Sequence, residues 1–261
     1  MNGFGRIPVC DVSPVIEHGA YPAKAVVGES APISATVFRE GHDALGATVV
    51  LTRPDGSVLR QDMQQVEPLG LDIWEAWVVF DCLGDWSYYV EAWDDEWHTW
   101  THNARIKWAA GQDSALLCLE ALALFQAATT SATQLADTTA VTLIAAAAAT
   151  CHAATPIPTL LALTNDSNLD AAMVRHAPRR FITPSESYRI RVDRSRAQFA
   201  SWYEFFPRSV GATYNKRTKR WKSGTFDSCE TALEHAAQLG FDVVYLPPIH
   251  PIGSTMKKGA N

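Results

Sequence analysis

At 261 residues the chain has room for two domains, or for one domain with a large insertion. A hydrophobic share of 47% supports real cores, and a charged share of 19% argues against disorder. The net charge of -6 argues against a broad electrostatic footprint for nucleic acid or anionic membranes.

Cys10, Cys82, Cys118, Cys151 and Cys229 are scattered and never form a CxxC pair. That usage fits a reducing compartment and offers neither a disulfide framework nor a zinc knuckle. The first residues, MNGFGRIPVCDVSP, lack the basic flank and apolar run of a secretory signal. The most apolar stretch, 141–150, is shorter than the ~20 residues a bilayer requires. The expected compartment is the cytoplasm.

In chain order, residues 1–110 read as all-β. Ile33, Ala35 and Val37 alternate with polar neighbours, and a turn follows at 39–41. Residues 49–52 lead into Pro54, Asp55 and Gly56, where Pro fixes φ and Gly accepts a positive one. Trp74, Ala76, Val78 and Phe80 share a strand face, Gly84 and Asp85 read as a turn, and Trp86, Tyr88, Val90 and Ala92 repeat the alternation. Short strands at this spacing suggest a β-sandwich of immunoglobulin-like type.

Residues 111–180 read as an inserted helical bundle. Asp113 and Ser114 can cap a helix with Leu116, Leu119, Leu122 and Phe125 along one stripe. A second helix is expected over 133–154, Pro156 and Pro158 interrupt the pattern, and a short third helix spans 168–177 before Pro178. Tyr188, Ile190 and Val192 then alternate as a strand, so residues 181–197 return to complete the N-terminal sandwich.

From residue 198 the pattern is that of a parallel β/α barrel. Residues 199–206 and 241–246 read as buried strands. Between them a helix starts at the pair Asp227 and Glu230 and ends before Gly240. A (β/α)₈ barrel needs eight such units and typically ~250 residues, so the sequence holds the first two strands of one and reads as the front of a larger enzyme.

Three segments carry recognisable detail: WYEFFPRS at 202–209, GTF at 224–226, and GFDVVYLPPIHPIG at 240–253 followed by KKGAN at 257–261. Together with Arg6-Ile7-Pro8 near the start and Val192-Asp193-Arg194 before the barrel, they resemble the α-amylase superfamily. Within it, the likeness is to bacterial α-1,4-glucan:maltose-1-phosphate maltosyltransferases. The resemblance covers essentially the whole chain. It implies a retaining transfer of maltosyl units from maltose 1-phosphate to an α-1,4-glucan, with two carboxyls acting as nucleophile and acid/base. In that superfamily both carboxyls lie on later barrel strands, beyond Asn261, so no catalytic residue is assigned within the chain. The resemblance places Lys258 at the donor-sugar site, with Asn261 in the same motif. It also implies a homodimer with a contribution from the N-terminal region. Neither a cofactor nor a metal is expected. Two other readings are a non-catalytic glycan- or partner-binding module, and another superfamily enzyme such as a branching enzyme or glycoside hydrolase.

Other features have plainer readings. The run Arg217 to Lys222, with Trp221 inside it, could contact phosphate or nucleic acid, but reads as a solvated loop. Trp93, Trp97 and Trp100 with Tyr88 and Tyr89 could stack on sugar, but aromatic residues at strand spacing usually pack cores. His98 and His102 would share a helix face and could hold zinc, yet the β context argues against a helix there.

Overall fold

The computed structural model describes residues 6–68, 70–250 and 255–256. The chain divides into two compact units, one running to Val192 and the other starting at Asp193.

The first unit opens with strands β1 (Val9–Ser13), β2 (Ala23–Val26), β3 (Ser30–Val37), β4 (Leu45–Thr52), β5 (Val58–Asp62), β6 (Gln64–Gln65), β7 (Ile73–Val79) and β8 (Gly84–Asp95). It closes with β9 (Arg179–Pro184) and β10 (Tyr188–Asp193), the latter reaching the first residue of the second unit. One sheet has the order β1-β3-β7-β6; the other runs β2-β10-β8-β4-β5, with β9 also on β8. A single apolar core takes side chains from both sheets: Ile33, Ala35, Val37, Ala76 and Val78 from one, Val49, Leu51, Trp86, Val90 and Ile190 from the other. Alternation with period two explains this directly, since every second residue of a strand faces the same side. Tyr88 is also buried, and its hydroxyl donates to the Pro14 carbonyl at 2.7 Å. The turn at Pro54 forms as its chemistry requires, with Gly56 at φ +85° and Asp55 Oδ1 accepting from Ser57 N–H at 2.8 Å.

This unit departs from its sequence pattern in two places. Gly84 and Asp85 make no turn; they begin β8 and pair with Val192 and Arg191. Gly84 holds φ +127°, and a Cβ there would lie 2.8 Å from the Pro54 ring, so glycine serves close packing. More substantially, the all-β character ends at Asp95. Helix α1 (Glu96–Ala109) follows β8 without a loop, capped by Asp95 Oδ1, which accepts from His98 N–H at 2.9 Å.

Helices α2 (Ser114–Gln134), α3 (Thr138–Thr150), α4 (Ile157–Thr164) and α5 (Ser167–His176) complete a five-helix group where three were expected. The helical pattern is interrupted before Pro156, the N-cap residue of α4, while Pro158 sits in the first turn of that helix, where a missing N–H costs nothing. The helix core holds Trp97, Trp100, Trp108, Phe125, Ile144, Leu160 and Met173. The buried stripe of α2 is Leu117, Cys118, Ala121, Phe125, Ala128 and Ala132; Leu116 and Leu119 point outward. Asp113 lies in the left-handed region and makes no side-chain cap, pairing instead with Lys107 at 3.1 Å. By length and composition α2 could cross a membrane, which the sequence reading overlooked; here its buried stripe joins the helix core.

The second unit contains β11 (Trp202–Glu204), the hairpin β12 (Thr213–Asn215) and β13 (Arg220–Lys222), helix α6 (Glu230–Gln238) and β14 (Val243–Tyr245). β11 and β14 pair in parallel, Tyr203 opposite Val244. Both are shorter than the stretches 199–206 and 241–246. The helix between them ends as expected: Gly240 takes φ +81°, its N–H bonds Ala237, and Phe241 N–H bonds Ala236 at 3.1 Å. Its start differs. Neither Asp227 nor Glu230 makes a cap; Ser228 Oγ accepts from Thr225 N–H at 2.9 Å and contacts the Val210 carbonyl at 2.7 Å.

Candidate functional site at the ends of the parallel strands

Phe206 follows β11 by two residues and Pro247 follows β14 by two, so the chain leaves both parallel strands on the same side. A cavity of about 140 Å³ lies there, lined by Phe206, Arg208, Gly224, Phe226, Pro247 and Ile249 among others. In parallel α/β units the loops beyond the carboxyl ends of strands are where ligands bind, because side chains from several loops converge there.

The cavity wall is fixed from the backbone. Gly224 N–H donates to the Arg208 carbonyl at 2.9 Å, and a Cβ on Gly224 would lie 1.9 Å from the Val210 carbonyl oxygen. Only glycine allows the chain to pass so close. Cys229 is buried behind this wall, its thiol reaching the Thr225 carbonyl at 3.2 Å. Tyr203 of β11 packs against Phe241 and His235, with ring centroids 5.1 and 6.1 Å away.

The charged groups of this unit are unevenly distributed. Asp242 sits at the other end of β14. It accepts from Ser201 N–H and Oγ at 3.0 and 3.2 Å, which holds its carboxyl below the ordinary value, with Arg196 adding to the effect. The group is a structural acceptor. The described cavity lining holds one guanidinium, that of Arg208, and no carboxylate. Lys258 and Asn261 lie outside the described residues.

The other sequence candidates separate cleanly. Tyr88, Trp93, Trp97 and Trp100 are buried and form no open sugar platform. Trp97 stacks on Trp100 at 5.3 Å, and their indole N–H groups donate to Asp170 and to the Leu117 carbonyl. His98 and His102 do lie on one helix, contrary to expectation, but both nitrogens of His98 face carboxylates: Asp95 at 2.6 Å and Asp170 at 3.4 Å. Among the described residues no three potential ligands converge on a metal position. The run from Arg217 to Lys222 is a structured hairpin where a plain loop was expected. Arg208 belongs to the WYEFFPRS segment, whose pattern alone assigns it no role. The absence of any acid between residues 205 and 226 was the signal that could have marked it.

A multidomain, β-rich chain carrying a helix group and then a parallel β-α-β unit, with its cavity at the strand ends, is the class defined by these features. Residues 5–194 match a family model described as alpha-1,4-glucan:maltose-1-phosphate maltosyltransferase, domain N/S, and the chain belongs to that family. It is 45% identical over 260 residues to alpha-1,4-glucan:maltose-1-phosphate maltosyltransferase 2 of Streptomyces coelicolor, covering 99% of this chain and 38% of the relative. The Mycobacterium tuberculosis H37Rv and Bifidobacterium longum proteins of that name are 39% identical over 284 residues and 37% over 277. Those alignments cover 98% and 99% of this chain, and 39% and 37% of the relatives. The chain thus spans somewhat over a third of the length of the curated relatives it matches.

Proposed function

We propose that the chain is the amino-terminal part of a maltosyltransferase that extends α-1,4-glucan from maltose 1-phosphate. A carboxylate attacks the anomeric carbon and inorganic phosphate departs. A glucan 4-hydroxyl then takes the maltosyl unit, so configuration is retained. In this reading the nucleophile and the acid/base belong to the part of the family's length that this chain does not span. The two-sheet unit is an immunoglobulin-like sandwich, and β11, α6 and β14 open a (β/α)₈ barrel. Lys258 and Asn261 contribute to the donor-sugar site. The protein works in the cytoplasm as a homodimer, without cofactor, nucleic acid or membrane.

The observation that carries the reading is the family match running through both units, together with a parallel strand pair whose loops converge on one cavity. The test is a family-length protein containing these residues, supplied with maltose 1-phosphate and maltoheptaose. Phosphate release matched by glucan growth in steps of two glucosyl units is expected. Glucan hydrolysis without phosphate release would overturn the reading.

A further inference from the structure

Between Phe205 and Phe226 the sequence holds Arg208, Lys216, Arg217, Lys219, Arg220 and Lys222 and no acid, in a chain of net charge -6. None of these six cations makes an ion pair among the described residues, whereas Arg39, Arg53, Arg60, Arg179 and Arg180 all do. Five of the six sit on one ordered arm, the β12–β13 hairpin and its tip. Tyr214 and Trp221 pair across the strands with ring centroids 5.3 Å apart. Asn215 Oδ1 accepts from Arg217 and Thr218 N–H at 3.0 and 3.1 Å, and Lys219 takes φ +52°, which closes the tip. All six strand residues are exposed. A two-stranded hairpin of this size is marginal alone, yet here the turn and the aromatic pair fix its shape.

Its roots are the cavity wall. The Gly224 to Arg208 hydrogen bond closes the base of the arm, and both residues line the cavity at the strand ends. We propose that this hairpin is a capture site for a phosphorylated sugar, binding the phosphate through Lys216, Arg217 and Lys219 while Trp221 offers its face to the sugar ring. A phosphate monoester provides three strong acceptor oxygens for charge-assisted hydrogen bonds, and a cationic arm at a cavity mouth raises the local concentration of such an anion. The identity of the sugar phosphate as maltose 1-phosphate rests on the function proposed above.

The deciding experiment follows the ³¹P resonance of maltose 1-phosphate as the 261-residue chain is added, with maltose and inorganic phosphate as competitors. The wild-type chain is expected to bind, inorganic phosphate to compete and maltose not to. Raising salt from about 50 to about 500 mM should weaken binding by about tenfold or more. The triple variant Lys216→Gln, Arg217→Gln, Lys219→Gln should bind at least about tenfold more weakly with an unchanged melting temperature. Trp221→Ala should weaken maltose 1-phosphate binding while leaving inorganic phosphate unaffected. Equal affinity in the triple variant, absence of binding, or stronger binding of an RNA oligonucleotide that maltose 1-phosphate does not displace would each overturn the proposal. Because the readout needs no turnover, capture by the arm alongside a transfer-inactive family-length protein would sink the proposed transfer and keep the arm.

Discussion

His98 Nδ1 lies 2.6 Å from Asp95 Oδ2, so the residue that caps α1 through its first carboxylate oxygen clasps an imidazole with the second. The Asp95 hydrogen bond raises the pKa of His98 above its ordinary 6.5, burial opposes this, and the charges of Asp95 and Asp170 add to the rise. A raised folded-state pKa stabilises the fold fully below the unfolded value near 6.5, and the benefit fades as pH climbs through the higher folded value. His98→Gln should therefore lower the melting temperature more at about pH 5.5 than at about pH 8.5. A pH-independent difference between the two proteins would contradict the clasp.

The two faces of α2 offer a direct contrast. Phe125 is buried against Trp97 and Trp100, with ring centroids 6.0 and 6.4 Å away. Phe125→Ala should cost about 3–5 kcal/mol in denaturant unfolding. Leu119 is 66% exposed on the same helix, and Leu119→Ala should change stability by no more than about 0.5 kcal/mol. Comparable losses would mean that the stripe has been assigned to the wrong face.

Helix starts divide in the same way. Asp166 accepts from Asn168 and Leu169 N–H at 2.8 and 3.2 Å, so Asp166→Ala should cost about 1 kcal/mol. Asp113 makes no cap and holds φ +52°, a conformation glycine prefers. Asp113→Gly should be neutral or slightly stabilising despite losing the exposed Lys107 pair, as chemical melts would show.

At the cavity wall, Gly224→Ala would drive a methyl group into the Val210 and Pro207 carbonyl oxygens, 1.9 and 2.6 Å from the ideal Cβ position. Relief requires backbone movement, with a cost of about 1–3 kcal/mol or more. Local hydrogen exchange should rise at Gly224 and Ser209 if the wall opens; unchanged protection and stability would show that the loop yields freely.

Much of the two-sheet unit was readable because its strands alternate strictly, as at Ile33, Ala35 and Val37, where burial follows the pattern residue by residue. Helix α1 was missed because Trp93, Trp97 and Trp100 look like strand residues, although Trp97, Trp100, Thr101, Ala104 and Trp108 repeat at helical spacing behind a good cap at Asp95. On α2 Phe125 is buried as its spacing predicts, but Leu116 and Leu119 are exposed because leucines occupy both faces, while alanines and one cysteine do most of the burying. The cavity is built from loops, whose shape depends on contacts such as Gly224 with Arg208 that no periodicity records. Lys258 and Asn261 were reached through resemblance and lie outside the described residues.

β8 enters α1 directly at Asp95, and the chain comes back from the helices at Arg179, which pairs with that same Asp95. Departure and return share one rung of a ladder. Residues 96–178 can consequently be exchanged as a cassette: a gene can acquire, enlarge or shed the helices there while the ladder on either side keeps its count. A tight turn spliced across the rung should turn β8 and β9 into an ordinary hairpin, leaving the partnership of β8 with β4 and β10 as it is.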